Sequence, residues 1–254
     1  MSAVAISVFA LACADLARSG DRVRRRELAI GAAAAAAVLG VLLLGAFGVE
    51  ELVLVAIGLA AVVAWVVTTS RPVSSRRDYA APLFILAVAL LVQVVALGFL
   101  PVREPDGVLA AWVERVSFAG ATMAPAQVLL VAGALLAQIS TANIVVRLVL
   151  ASVGALKPAG LPQASDRLRG GRLLGPMERL LILGLGLAGQ PTAAGLVIAA
   201  KGLIRFPELQ ARASPGASRV DEPGIDELTE YFLIGSFVSW LFALASLSFI
   251  VVFA

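Results

Sequence analysis

Histidine is absent from the 254 residues and cysteine occurs once, at Cys13. A single thiol makes no internal disulfide. Without imidazole or a cysteine cluster no zinc, haem or iron–sulfur site can be assembled, so no cofactor is expected. Imidazole proton relays are excluded as well, which leaves carboxylates for any proton handling. Charge is also scarce: 15% of residues are Asp, Glu, Lys or Arg, against roughly 25% in an ordinary soluble domain. Lysine is confined to Lys157 and Lys201, so the basic residues are almost all arginine. With alanine-rich runs, that usage points to a GC-rich bacterial genome.

Apolar residues fill the space the charges leave. They make up 60% of the chain, mean hydropathy is +0.97 and net charge only +3. Neither a soluble domain nor a disordered chain has that balance, and the expectation is a polytopic membrane protein. The pI near 9.6 does not argue for nucleic acid, because the arginines sit beside apolar runs, where anchoring to inner-leaflet lipid is the simpler reading.

Eight apolar segments emerge. Residues 3–17 are followed, not preceded, by Arg18, Arg22, Arg24, Arg25 and Arg26. That polarity is the reverse of a secretory signal, so an N-out anchor is expected. Segments 28–48 and 52–69 are separated by Glu50 and Glu51, and 79–100 is the next span. The loop 101–115 is acidic, with 109–116 lying amphipathically on the surface. Residues 125–155 read as one long helix. Two short arms, 176–189 and 192–206, meet at Gln190-Pro191; 207–223 reads as a mobile linker, and a last helix starts near Asp226.

Threading these segments alternately puts the loops 18–27, 70–78, 156–175 and 205–229 on one side. Eighteen of the twenty Lys and Arg residues then lie on that side or on helix ends leading to it, all but Arg103 and Arg115. The positive-inside rule makes it cytoplasmic and places both termini outside a bacterial inner membrane. The expected fold is all-α: a transmembrane bundle of seven to eight helices with a short-armed helical hairpin. Residues 1–254 form one domain, divided into N-terminal helices (1–120) and a C-terminal module (121–254).

The polar residues inside these runs are the candidate sites. Residues 184–189 match G-x-G-x-x-G but follow an apolar helix and precede Gln190-Pro191, so close helix packing through Gly184, Ala188, Gly195 and Ala199 is the preferred reading. On an unbroken helix, Ser140, Asn143 and Arg147 fall within about 60° of one another and form a polar stripe. Its plainer reading is interhelical hydrogen bonding with an arginine reaching the headgroups. Asp15, three residues before Arg18, reads as an interfacial carboxylate with a ready partner.

A charge cluster is the most informative group. Glu178 and Arg179 open the first short arm, Lys201 and Arg205 close the second, and Glu230 and Tyr231 open the last helix. The alternatives are an ion-pair network that locks helix ends and a pocket for an anion, a lipid headgroup or an acidic partner. Glu178 lies twelve residues before Gln190 and Lys201 eleven after it. In a tight antiparallel hairpin those offsets mean depths of about 18 and 16.5 Å from the turn, so these two are expected to pair, with Glu178–Arg205 or Lys201–Glu230 as the alternatives that helix rotation leaves open.

Residues 141–147 (TANIVVR), 171–179 (GRLLGPMER), 200–206 (AKGLIRF) and 230–239 (EYFLIGSFVS) together resemble a widespread bacterial integral-membrane protein family of unknown function. The resemblance covers roughly residues 140–245. The chain departs from that pattern at Gly202, where family members usually carry serine, and in lacking histidine. It implies a shared C-terminal membrane module and supplies no reaction or substrate.

Three functions are carried forward. A non-catalytic anchor, scaffold or regulatory subunit ranks slightly above a small transporter or channel for an ion or anionic solute. An enzyme ranks well below both, since no nucleophile–base pair is visible. The expected partners are membrane lipids, a protein on the cytoplasmic side and a second copy of the chain, and not nucleic acid.

Overall fold

The computed structural model describes residues 1–18, 22–71, 76–99, 105–116, 123–155, 171–212 and 225–253. Among these the chain is entirely helical, with no strand. The helices are α1 (Ser2–Ala17), α2 (Arg22–Leu44), α3 (Val49–Thr69), α4 (Arg76–Leu97), α5 (Val108–Arg115), α6 (Pro125–Ile139), α7 (Thr141–Ser152), α8 (Gly171–Leu187), α9 (Pro191–Arg212) and α10 (Ile225–Val252). Four segments are long and apolar enough to cross a membrane: Arg25–Leu44, Val49–Thr69, Asp78–Leu97 and Thr229–Val252. A fifth is added if α6 and α7 together make one span. The exposed apolar side chains of α4, such as Phe84, Leu91 and Val95, suit a hydrocarbon surrounding and would not suit water.

Two compact units divide the chain: Met1–Thr141 with Phe249–Ala254, and Ala142–Ser248. In the first, α1 is the central element. Its alanines Ala3, Ala5, Ala10, Ala12 and Ala14 are buried, as are Ala29, Ala33 and Ala37 of α2. Side chains that small let helix backbones approach closely. The same holds against α6, where a Cβ on Gly133 would stand 2.9 Å from the backbone nitrogen of Phe9. Contacts also set the helix directions. Gly40 of α2 meets Ile6, while Gly133 of α6 meets Phe9 and Ser140 meets Ala12. Hence α1 and α6 run the same way. Trp65 near the end of α3 meets Asp15 near the end of α1, so α3 runs with them too. Gln93, late in α4, meets Ser7, early in α1, so α4 runs against them, as α2 does.

The second unit is organised around α8 and α10. Ile182, Ala194 and Ala243 form its core, with Leu185, Val197, Ile198 and Trp240 packed on them. Arg179 meets Ser239 and Gly186 meets Leu247, so α8 and α10 are parallel. Asn143 bonds to Arg179, and Gly235 faces Val146 and Leu150, so α7 opposes both.

Several expectations need correction. Residues 125–155 are not one helix: the ladder breaks at Ser140. Its hydroxyl donates to the carbonyl of Leu136, at 3.1 Å, and of Ala12, at 3.2 Å, and back-bonding of this kind bends or interrupts helices. Glu50 and Glu51 are not a loop but the first turn of α3, where carboxylates complement the helix dipole. The first short arm starts at Gly171, five residues early, and carries Pro176 inside the helix, where it cannot donate the backbone bond of its position. The second arm runs on to Arg212, so residues 207–212 of the expected linker are helical. Glu208, Leu209, Gln210, Ala211 and Arg212 are all good helix formers. Residues 213–223 of that linker lie outside the described residues.

Candidate functional site

Two clusters of polar side chains stand out, one in each unit. In the second unit the antiparallel α8–α9 hairpin brings together the two residues that equal offsets from the turn anticipate. Lys201 Nζ donates to Glu178 Oε2 at 2.6 Å, with side-chain exposures of 17% and 12%. The ammonium also lies 5.5 Å from the ring centroid of Phe232 and 5.8 Å from that of Trp240. Ring faces are electron-rich, so α10 adds cation–π attraction to the ion pair.

Arg179, one residue along α8, points to other partners. It is 2% exposed. Its Nη1 donates to Ser239 Oγ at 2.9 Å and its Nη2 to Asn143 Oδ1 at 2.5 Å. One guanidinium therefore ties α7, α8 and α10 together, with its planar fork reaching two helices at once. Ser239 lies ten residues into the 24-residue segment Thr229–Val252, about 15 Å along a helix of about 36 Å. The arginine head thus sits near the middle of an apolar helix, where an unsolvated charge costs about 3 kcal/mol on insertion scales. Hydrogen bonding to both neighbouring helices offsets that cost.

The remaining expected site residues disperse. Ser140 is separated from the others by the helix break and bonds back to Leu136 and Ala12. Arg147 is exposed on α7 and Glu230 on α10, while Tyr231 is half-buried. Arg205 has its backbone in α9 and its side chain outside the described residues. The break between α6 and α7, a bend of 48°, falls between Ser140 and Asn143, so the unbroken 100° rotation from which the stripe of Ser140, Asn143 and Arg147 was drawn does not hold. Gly184, Ala188, Gly195 and Ala199 are exposed, and a Cβ on either glycine would meet nothing within 4 Å. The close approach is instead at Gly186, where a Cβ would run into the methyls of Leu247. The core of Ile182, Ala194 and Ala243 rotates the other faces outward.

In the first unit a cluster forms around Asp15, whose position in the sequence gives only an interfacial carboxylate with Arg18 as partner. Asp15 is buried, its side chain 0% exposed. Trp65 Nε1 donates to both its oxygens, at 3.1 and 3.2 Å, and Arg18 Nη2 stands 3.0 Å from Oδ1. Arg18 Nη1 also donates to Thr69 Oγ1 at 2.6 Å. The hydroxyls of Thr68, Thr69 and Ser70 in turn bond to carbonyls of Ala64, Trp65 and Val66. Each is a hydroxyl bonding back to the carbonyl four residues earlier in its own helix. The i,i+3 partner was legible; the tryptophan, fifty residues away, was not. A smaller node was also missed. Gln93, 1% exposed, donates to Ser7 Oγ at 2.8 Å and to the Leu54 carbonyl at 2.9 Å. Its only signal was a lone amide in an apolar helix, which must find partners wherever hydrocarbon surrounds it.

Compared with protein-family models, with curated proteins and with solved structures, the chain matches none.

Proposed function

We propose that the chain is a non-catalytic bacterial membrane module, an anchor, scaffold or regulatory subunit. Its buried charges hold its own helices, and its exposed cytoplasmic residues meet a partner. The carrying observation is the 2.6 Å pair of Lys201 and Glu178: of the two alternatives for these charges, an ion pair and a ligand pocket, the pair supports a role in holding helices. The resemblance of residues 140–245 to a bacterial integral-membrane family belongs to this reading, as do lipids, a cytoplasmic-side protein and a second copy as partners.

All eight apolar segments cross or enter the membrane in alternation in this reading, with both termini outside. The helix directions support it, since α1, α3 and α6 run one way and α2 and α4 the other, while α8 and α10 oppose α7. Cysteines introduced as Glu50→Cys, Glu104→Cys and Arg76→Cys in a Cys13→Ser chain check it. An impermeant thiol reagent on intact cells is expected to label the first two and spare the third; external labelling at position 76 overturns the topology.

A second reading, a small transporter for an ion or anionic solute, is favoured by one observation: the Arg179–Asn143–Ser239 node at mid-depth of α10. Proteoliposomes separate the two. The module reading expects chloride, phosphate and potassium fluxes no greater than in protein-free vesicles. A flux above that level, abolished by Asn143→Leu, establishes the transporter instead.

A further inference from the structure

We propose that the end of the first unit where α1 finishes and α2 begins binds the phosphate of an anionic phospholipid headgroup through Arg18 and Arg25. The argument begins with level. Gly40 packs on Ile6, and α1 and α2 are antiparallel neighbours joined by residues 18–21. From Gly40 back to Arg25 is fifteen residues, or about 22 Å; from Ile6 on to Arg18 is twelve, or about 18 Å. The two arginines therefore stand within about 5 Å of the same level. That level is a membrane boundary by composition, since Arg25 is the first residue of the apolar segment Arg25–Leu44 and Thr69 the last of Val49–Thr69.

Arg25 also lies on the inward side of its helix. Arg25 precedes Ala29, Ala33 and Ala37 at intervals of four, and all three alanines are buried. It thus extends the buried stripe of α2. Each arginine also has an uncommitted donor. Arg18 uses Nη1 on Thr69 and Nη2 on Asp15, while its Nε is buried with no hydrogen-bond partner. The Nε of Arg25 is buried and equally without one. Asp15 balances one of the two cations, so Arg18, Arg25 and Asp15 together carry one positive charge. A phosphodiester brings one negative charge and several acceptor oxygens, and guanidinium groups match it in both geometry and charge. Anionic headgroups at basic sites between helix ends follow the same electrostatics.

This inference rests on the chain spanning a bilayer, but not on whether it is a module or a transporter. The test uses the full chain purified in a neutral detergent. Bound phosphatidylglycerol is counted by native mass spectrometry, and thermal unfolding is followed by tryptophan fluorescence at fixed ionic strength. Arg25→Gln is compared with Arg26→Gln, which removes the same charge one residue away from an exposed side chain. Phosphatidylglycerol is expected to raise the unfolding midpoint of the wild type and of Arg26→Gln. Arg25→Gln should retain about tenfold less of it, the loss of one charge-assisted hydrogen bond. Phosphatidylcholine and inorganic phosphate should stabilise weakly. Counting lipid on the folded fraction keeps the comparison valid if Arg25→Gln folds poorly. Equal loss in the two variants reduces the effect to general surface charge and overturns the site. Equal stabilisation by inorganic phosphate overturns the lipid assignment.

Discussion

Glu178→Lys should deplete the folded protein severely, and adding Lys201→Glu should restore most of it. The native pair is short, at 2.6 Å, and both side chains are largely buried. Reversing one member sets two ammonium groups against each other with little water between them. Removing one partner of a buried pair costs about 3–5 kcal/mol, a large share of the roughly 5–15 kcal/mol that holds a domain folded. The reciprocal swap rebuilds the attraction across the same two helices. Recovery should stop short of complete, because a carboxylate at position 201 would face Phe232 and Trp240, whose ring faces favour a cation. Monodisperse yield in detergent and the thermal unfolding midpoint read this out. A double variant no better than Glu178→Lys would mean that the two charges do not depend on each other.

Asp15→Ala is expected to be comparably damaging, by about 3–5 kcal/mol, since it strands a buried arginine and leaves the Trp65 N–H without its acceptor. Asp15→Asn should cost less, because an amide oxygen still accepts from the indole. Asp15→Asn with Arg18→Gln should be milder than Asp15→Ala, as neither charge then remains to be compensated. Unfolding followed by tryptophan fluorescence ranks the three variants. If Asp15→Ala unfolds within a degree or two of the wild type, the cluster contributes nothing to the packing of α1 against α3.

The ion pair of the hairpin and the pairing of Asp15 with Arg18 were both legible in the sequence, for one shared reason. Each depends on position along a helix, and every residue advances a helix by the same 1.5 Å. Counting from Gln190 sets Glu178 and Lys201 at one depth, and three residues place Arg18 beside Asp15. What failed was rotation and continuity. Ser140, Thr141 and Asn143 are weak helix formers that compete for backbone bonds, but such residues also sit within unbroken helices; here the Ala12 carbonyl of another helix also accepts from the Ser140 hydroxyl. Gly184 and Gly195 had the spacing of a packing motif, yet Gly186 makes the contact, because the bulkier Ile182 and Leu185 chose which face turned inward. Arg179 was grouped with its neighbour Glu178, although successive helical residues point about 100° apart.

By itself, then, the sequence determined the class of the chain, an all-helical protein with helices long and apolar enough to cross a membrane. It also determined the depth at which the hairpin charges meet. Hydropathy and residue counts are properties of a segment alone, and they need no knowledge of its neighbours. Only the tertiary structure decided that Asp15 is sealed by Trp65, that Arg179 bonds to Asn143 and Ser239, and that Arg18 and Arg25 each keep a buried Nε free. Those outcomes depend on which faces of separate helices meet. That is settled by the best packing of small alanines and bulky leucines over the whole unit, a quantity no local window of residues contains.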